Sequence, residues 1–178
     1  MLAGRSIPTV QSMNARETAT LAGFGALTAG AAALATKATR ESLYPWYVTL
    51  RKPPFQPPQK AFAPVWTALY GLIAVAGFRL WRAKKSRRRT VALTLWSGQL
   101  AANAAWSWLF FRKHQGKAAL ADIAALECLI AGTLYAALEV DAPAATMLAP
   151  YAAWVAFAGL LNEEIVRRNP PSAFAAHP

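Results

Sequence analysis

The sequence is poor in cysteine, histidine and acidic residues. Of 178 residues, one is Cys, two are His and eight are Asp or Glu, against 19 Lys or Arg. The single cysteine, Cys128, excludes a disulfide framework and a Cys-x-x-Cys site, and two histidines supply no metal ligand set. The sequence also lacks a Ser/His/Asp arrangement, a P-loop, a Gly-x-Gly-x-x-Gly motif and a His-Glu-x-x-His motif. We therefore expect no metal, no cofactor and no conventional catalytic site.

Charge is absent from four long stretches of the chain. No Asp, Glu, Lys or Arg occurs in 18–36, 61–78, 90–111 or 142–162. A fifth apolar stretch, 118–138, is interrupted only by Asp122 and Glu127. Because about 20 apolar residues cross roughly 30 Å of hydrocarbon, these stretches predict an all-α integral membrane protein, a bundle of five transmembrane helices.

The predicted spans lie within one membrane domain that covers residues 18–168. Their approximate bounds are 18–36, 64–82, 90–111, 118–138 and 144–165. Pro64 suits the first turn of the second span. Residues 1–17 are a predicted polar N-terminal extension and residues 169–178 a C-terminal tail. A cleaved secretory signal is the alternative interpretation of the N-terminus, although the apolar stretch after Glu17 is longer than an ordinary signal.

The cations lie in the connections between the spans. Seven of them fall in the 79–89 loop, which predicts a juxtamembrane loop near anionic head groups and argues against a nucleic-acid surface. The two sides of a five-span bundle carry nine and ten cations. The positive-inside rule needs an asymmetry, so neither the orientation nor the choice between a bacterial and an organelle membrane follows from charge.

The first span carries a stripe of small side chains. Ala22, Ala26 and Gly30 recur every four residues, and small residues let helix backbones approach closely in lipid. The stripe predicts a helix packed into the bundle.

Three predicted helices carry aromatic and polar side chains on one face. At about 100° per residue, these stripes are Trp66, Tyr70 and Ile73; Trp96, Gln99, Asn103, Trp106, Ser107 and Phe110; and Tyr151, Trp154, Ala158 and Asn162. Carboxamides facing lipid would be costly, so those of the third helix should point into the bundle. Core filling explains any single residue, but three coincident stripes favour a pocket for a flat, largely apolar ligand.

Two acidic residues lie inside the fourth span. Asp122 and Glu127 are five residues apart, about 140° around a helix, so they are not a facing catalytic pair. Glu127, near mid-membrane, should be protonated, paired or next to water. A hydrogen-bonded neutral acid and a proton relay are both open interpretations.

A proline-rich loop joins the first two helices. The stretch WYVTLRKPPFQPPQKAFAPVWTALY, from Trp46 to Tyr70, contains five prolines, so neither a helix nor a strand runs through its middle. Its restricted conformations lower the ordering cost of binding, which predicts that 37–63 is the lid of the pocket. Trp46 and Phe55 would close over a flat ligand, and Lys60 would meet its acidic groups.

Longer motifs in the same stretch point to a known family. WYVTLRKPPFQPPQKAFAPVWTALYG resembles the signature of the tryptophan-rich sensory protein/translocator protein family (TspO/MBR, the peripheral benzodiazepine receptor family). The likeness continues in NAAWSWLFF, ALADI and PYAAWVAFAGLLN and covers roughly residues 20–168 in order.

The resemblance implies a five-helix bundle, often a homodimer, that binds porphyrins beneath the loop between the first two helices. It implies a membrane sensor or carrier linked to tetrapyrrole regulation and stress, or a transporter of porphyrin or sterol-like molecules. Light-dependent porphyrin degradation through residues matching Trp66 and Trp154 would make it an enzyme instead. The family's pocket positions correspond here to Trp46, Trp66, Tyr70, Asn103, Trp106, Tyr151, Trp154 and Ala158.

Two departures from the family pattern bear on the ligand. Lys60 replaces a frequent tryptophan, and Phe55 follows two prolines where relatives carry another indole, so the lid is more basic and favours a ligand carboxylate such as a porphyrin propionate. Glu163 and Glu164 stand where animal members continue a cholesterol-recognition motif, so sterol binding is not expected.

Overall fold

The structure is a computed structural model that describes residues 13–174, and the regular secondary structure in this range is all helical. Five long helices follow one another: α1 (Ala15–Ser42), α2 (Gln59–Arg82), α3 (Arg87–Ser107), α4 (Gly116–Leu138) and α5 (Ala142–Arg168). Wider π-type turns, Leu43–Tyr47 and Trp108–Arg112, prolong α1 and α3, and a short 3-10 helix, Pro171–Phe174, follows α5.

Helix α1 begins before the predicted span because polar groups cap it ahead of the apolar stretch. Asn14 Oδ1 accepts the backbone N–H of Glu17 at 2.9 Å, and a Glu17 carboxylate oxygen accepts that of Asn14 at 3.1 Å, a reciprocal cap. Residues 15–17, predicted as part of the polar extension, are therefore the first turn of α1. The rest of that extension, 1–12, lies outside the described residues, as do 175–178 of the predicted tail.

The start of α2 also differs from the prediction. The helix begins at Gln59, and Pro64 lies inside it rather than in its first turn. Pro58, just before the helix, has the fixed φ of −54° that leads into a helical turn. Pro64 then removes one backbone hydrogen bond, to Lys60, without ending the helix.

Packing arranges the helices in a ring in the order α1, α2, α5, α4 and α3, with α3 returning to α1. Trp96 of α3 is buried in this core, where its indole N–H donates to the carbonyl of Ile73 at 2.9 Å. The ring of Phe24 meets that of Trp96 edge-on at 5.0 Å. Gly77 of α2 permits this approach, because a Cβ there would lie 2.6 Å from the Trp96 ring.

The small-residue stripe of α1 is not in this core. Ala22, Ala26 and Gly30 are exposed, and a Cβ on Gly30 would meet nothing within 4 Å. The helix itself packs in the bundle as predicted, on α2 and α3, but it turns Phe24 and the buried Thr28 inwards rather than the stripe.

Arginines close the end of the bundle that carries the 79–89 loop. Three ion pairs join the helix ends there: Arg79 with Asp141, Arg82 with Glu17, and Arg88 with Glu139. Arg89 donates to the carbonyls of Leu80 and Trp81 at 3.1 and 2.6 Å. Much of the basic cluster therefore serves the bundle itself, and contact of the loop with anionic head groups stays a prediction.

Four of the five helices, α1, α2, α4 and α5, are long and apolar enough to cross a membrane. The protein is a multi-pass integral membrane protein.

Candidate functional site

A chain of hydrogen bonds crosses the bundle from α2 to α5. The hydroxyl of Tyr70 donates to Asn103 Oδ1 at 2.6 Å, and Asn103 Nδ2 donates to the Tyr151 hydroxyl at 3.2 Å. Asn103 and Tyr151 are buried, so these bonds satisfy polar groups that lipid would leave unpaired. Three residues from three different predicted stripes are thus in direct contact.

Indole and phenol rings surround this chain on the α2–α5 side. The Trp66 ring lies 5.5 Å from Tyr70, 6.4 Å from Tyr151 and 6.4 Å from Trp154, with the two indoles perpendicular. Such rings can stack on a flat apolar molecule. We call Trp66, Tyr70, Asn103, Tyr151 and Trp154 the central cluster.

Two phenylalanines that the sequence did not single out extend the central cluster towards the proline-rich loop. Phe62 lies 5.8 Å from Trp154, and Phe157 lies 5.6 Å from Trp154 and 6.3 Å from Phe55. Their spacing was an available signal, since Phe62 precedes Trp66 by four residues and Phe157 follows Trp154 by three. Phe55 is half exposed and reaches the cluster through Phe157.

Several buried polar atoms near the bundle interior have no hydrogen-bond partner. They are Gln99 Nε2 and Oε1, Trp154 Nε1, Asp122 Oδ2 and Glu127 Oε1. Gln99 is only 1% exposed, and an unsatisfied buried amide costs about 1–3 kcal/mol. A polar group of a ligand or a water molecule bound there would remove this cost.

Trp46 and Trp106, predicted to line the same pocket, belong to a second cluster at the loop end of the bundle. Trp46 is 8% exposed, its indole N–H donates to the carbonyl of Ala173 at 2.7 Å, and its ring stacks on His114 at 3.9 Å. Trp106 stacks on Phe110 at 5.6 Å. The structure therefore gives Trp46 a role in anchoring the chain after α5.

Amide side chains complete this second cluster. The Trp106 indole N–H donates to Asn162 Oδ1 at 3.2 Å, and Asn162 Nδ2 donates to the carbonyl of Gly116 at 3.0 Å. Asn162 therefore ties α3 and α4 to α5 below the central cluster. Ala158, one turn beyond Trp154 on α5, is partly buried between the two clusters.

The proline-rich loop is fixed to the end of α5. Asn169 Oδ1 accepts the backbone N–H of Arg51 and Asn169 Nδ2 donates to its carbonyl, both at 2.9 Å. The Lys52 ammonium donates to the carbonyls of Val48 and Leu50 and lies 4.7 Å above the Tyr47 ring. Burial lowers the pKa of Lys52, because it disfavours the charged form.

Lys60, the cation predicted to meet an acidic group of the ligand, is exposed in the first turn of α2. It is free to meet an acidic group that approaches the loop end. The Tyr47 hydroxyl donates to Gln56 Oε1 at 3.3 Å, and burial raises the pKa of this phenol. The loop is thus held at several points, while the Lys60 side chain stays exposed.

Two cavities of the described residues lie outside the central cluster. One, of about 440 Å³, is lined by the start of α4 and the chain after α5, including Lys117, Val166 and Phe174. The other is an open groove of about 390 Å³ between α1 and α3, lined by residues such as Gly30 and Leu100.

Comparison with known proteins gives one consistent result. The sequence profile described as the TspO/MBR family matches residues 23–168. The translocator protein of Bos taurus is 38% identical over 149 residues, which are 83% of this chain and 88% of that protein. The tryptophan-rich protein TspO of Chlorobaculum tepidum is 38% identical over 126 residues, 70% of this chain and 80% of that protein. The tryptophan-rich sensory protein of Cereibacter sphaeroides is 34% identical over 124 residues, 70% of this chain and 77% of that protein.

Proposed function

We propose that this chain, which belongs to the TspO/MBR family, binds a porphyrin or a related tetrapyrrole in the central cluster and acts as a membrane sensor or carrier. One observation supports this most strongly: the Trp66 and Trp154 indoles and the Tyr70–Asn103–Tyr151 hydrogen bonds converge in one place. Stacking surfaces with a few orienting polar groups are the usual make-up of a site for a flat apolar ligand.

The proposal includes α3 as a fifth transmembrane helix. With the turn that prolongs it, α3 runs from Arg87 to Arg112 and packs between α4 and α1. Its polar residues Gln99 and Asn103 are buried, so they lower its hydropathy without facing lipid. These properties are those expected of a span in the centre of a bundle.

The proline-rich loop is the proposed lid of this site. Phe55 contacts Phe157, which packs on Trp154, so movement of the loop would open the cluster from the α5 side. The exposed Lys60 would then meet the carboxylate of an entering ligand.

Titration of the purified full chain with protoporphyrin IX tests the proposal. Because Trp66 and Trp154 would contact the ligand, we expect saturable quenching of tryptophan fluorescence that weakens in Trp66→Phe and in Trp154→Phe. Trp108→Phe is the matched control, since Trp108 is half exposed at the start of the turn that prolongs α3. Quenching that is equal in all three variants would reject the central cluster as the site.

A light-dependent degrading enzyme is the second candidate function. Its support is the perpendicular contact of the Trp66 and Trp154 rings at 6.4 Å, since both indoles would lie beside a photoexcited porphyrin as electron donors. Illumination of the complex should then bleach the porphyrin, and more slowly in the Trp66→Phe/Trp154→Phe variant.

A transporter, with Glu127 as a proton relay, is the third candidate function. If Glu127→Gln took up porphyrin into liposomes at the wild-type rate, this candidate would be rejected.

We further propose that the protein forms a homodimer through the groove between α1 and α3. Ala26 and Gly30 line this groove beside Leu100, and small residues allow a second backbone to approach closely in lipid. Gly30→Leu should shift the dimer towards monomer in light scattering of the detergent-solubilised chain. Gly71→Leu is the control, because Gly71 of α2 is equally open but lies outside the groove.

A further inference from the structure

The chain after α5 forms a short strap at the loop end of the bundle. Helix α5 ends at Arg168, and Pro171–Phe174 is a single 3-10 turn beyond it. The backbone N–H of Ala173 donates to the carbonyl of Pro170 at 2.9 Å, and the two consecutive prolines restrict the backbone before this turn. We call residues 169–174 the strap.

Phe174 fixes the far end of the strap to the bundle. Its ring lies 6.0 Å from that of Trp46, in the turn that prolongs α1, and the Trp46 indole N–H donates to the carbonyl of Ala173 at 2.7 Å. The Phe174 ring also packs on the start of α4, since a Cβ on Gly116 would lie 2.9 Å from it. The strap therefore contacts the end of α1 and the start of α4 together.

Asn169 fixes the near end of the strap to the proline-rich loop. Its side chain accepts from the backbone N–H of Arg51 and donates to the carbonyl of the same residue. The strap is thus hydrogen-bonded to Trp46 and to Arg51, where the proline-rich loop leaves the turn after α1. It holds this end of the loop, while the other end continues into α2.

The loop transmits a movement of Arg51 to Phe55. The prolines at 53–54 restrict the backbone between these residues, and the N–H of Gln56 donates to the carbonyl at position 53 at 3.1 Å. Phe55 in turn contacts Phe157, whose ring packs on the central cluster. Release of Arg51 would therefore displace Phe55 rather than be absorbed within the loop.

A cavity beside the strap makes its release inexpensive. The cavity of about 440 Å³ is lined by Pro171 and Phe174 of the strap and by Lys117 and Val166 of the adjacent helices. Side chains that border a cavity lack packing partners on that side. The strap can therefore detach as a local event that leaves the helices of the bundle in place.

We infer that the strap is a latch that keeps the proline-rich loop closed over the central cluster and thereby sets the rates of ligand entry and exit, an inference that rests on the proposed function. Entry and exit pass through the same open state of the loop. Weakening the latch therefore speeds both and leaves the affinity of the central cluster nearly unchanged.

Stopped-flow quenching of tryptophan fluorescence by protoporphyrin IX tests the inference. The full chain would be placed in nanodiscs of zwitterionic lipid, and the rate constants of association and dissociation would be measured. Asn169→Ala/Phe174→Ala removes the side-chain attachments at both ends of the strap. We expect both rate constants to rise at least about fivefold, while the dissociation constant changes less than about twofold.

Two matched variants test whether the strap contacts themselves cause the effect. Ser172→Ala changes an exposed residue of the same 3-10 turn and should leave both rate constants at their wild-type values. Phe174→Tyr retains the ring and should do the same. An unchanged dissociation constant shows that the central cluster is folded, and Phe174→Ala alone decides the question if the double variant does not fold.

Hydrogen exchange without ligand provides a readout that does not depend on the proposed function. Phe174→Ala leaves both bonds between Asn169 and Arg51 in place, yet it should speed exchange in 48–56 at least about threefold. Exchange in α3 should stay at its wild-type rate.

The outcomes separate the latch from the proposed function. Wild-type rate constants in the double variant, or a change in the dissociation constant alone, would overturn the inference and leave the proposed function intact. Absence of porphyrin binding by the wild-type protein would overturn the proposed function. Exchange in 48–56 would then decide whether the strap holds the loop: faster exchange in Phe174→Ala would support the latch, and unchanged exchange would overturn it.

Discussion

The hydroxyl oxygen of Tyr70 on α2 lies 2.6 Å from Oδ1 of Asn103 on α3. The Asn103 amide nitrogen donates a hydrogen bond to the hydroxyl of Tyr151 on α5, so one short side chain links three helices. In a membrane, where helices gain little from apolar contact with one another, hydrogen bonds between helices and close packing hold a bundle together.

Removal of the Tyr70 hydroxyl should weaken this link. Tyr70→Phe leaves Asn103 Oδ1 without its donor, so we expect a loss of about 1–2 kcal/mol in the free energy of unfolding. Thermal unfolding in detergent measures this loss. Tyr135→Phe is the control, since Tyr135 is 73% exposed, and an equal effect of both substitutions would show that the hydrogen bond contributes nothing.

The close approach of α2 to α3 should not tolerate a side chain at Gly77. A Cβ there would lie 2.6 Å from Trp96 and 2.7 Å from Phe24, so Gly77→Ala must displace two aromatic rings and should cost about 1–3 kcal/mol. Gly71→Ala on the same helix adds the same methyl group where nothing lies within 4 Å. It should be neutral or slightly stabilising, because alanine favours helix. Equal unfolding temperatures for the two variants would contradict the packing described.

The proline-rich loop should loosen when its contact with the end of α5 is removed. Asn169→Ala deletes both hydrogen bonds to the backbone of Arg51. We expect faster hydrogen exchange in 48–56, with exchange in α3 unchanged as the internal control. If exchange in the loop stayed at its wild-type rate, Asn169 would not hold the lid.

Tyr47 should make the loop end sensitive to alkaline pH. Burial raises its pKa above the usual value of 10.0, so the folded phenol stays neutral at a pH where the unfolded one has ionised. Its contribution to stability is complete below the unfolded pKa and is lost as pH rises through the folded pKa. The difference in unfolding free energy between the wild-type protein and Tyr47→Phe should therefore shrink above about pH 10. Chemical unfolding at pH values below and above this point measures it, and a difference that is constant with pH would count against the burial of Tyr47.

The all-helical fold was predictable from the sequence because charge is excluded from hydrocarbon whatever the partners of a helix are. The contact of Tyr70, Asn103 and Tyr151 follows from the same rule, since their polar groups avoid lipid and helical spacing places them on interior faces. That these residues bind a ligand stays a prediction.

Other features depend on partners that no local pattern reveals. Trp46 is buried against Ala173, which lies 127 residues away in the sequence. The residues around Trp46 in the loop therefore do not predict this contact. The outward face of Ala22, Ala26 and Gly30 was missed for a related reason. A small-residue stripe marks a face that permits close approach, but it does not determine which partner approaches.

The shallow attachment of α1 has a consequence for biosynthesis. Only 6% of its apolar window is buried within the protein, against 28–39% in α2, α4 and α5, and it packs mainly on α2 and α3. Because α1 precedes α2 and α3 in the chain, it leaves the ribosome before either partner and must be stable in lipid without them. A helix that buries so little of its surface against its neighbours meets this requirement. Its packing through Phe24 and Thr28 is then a late step of assembly, which follows the synthesis of α3.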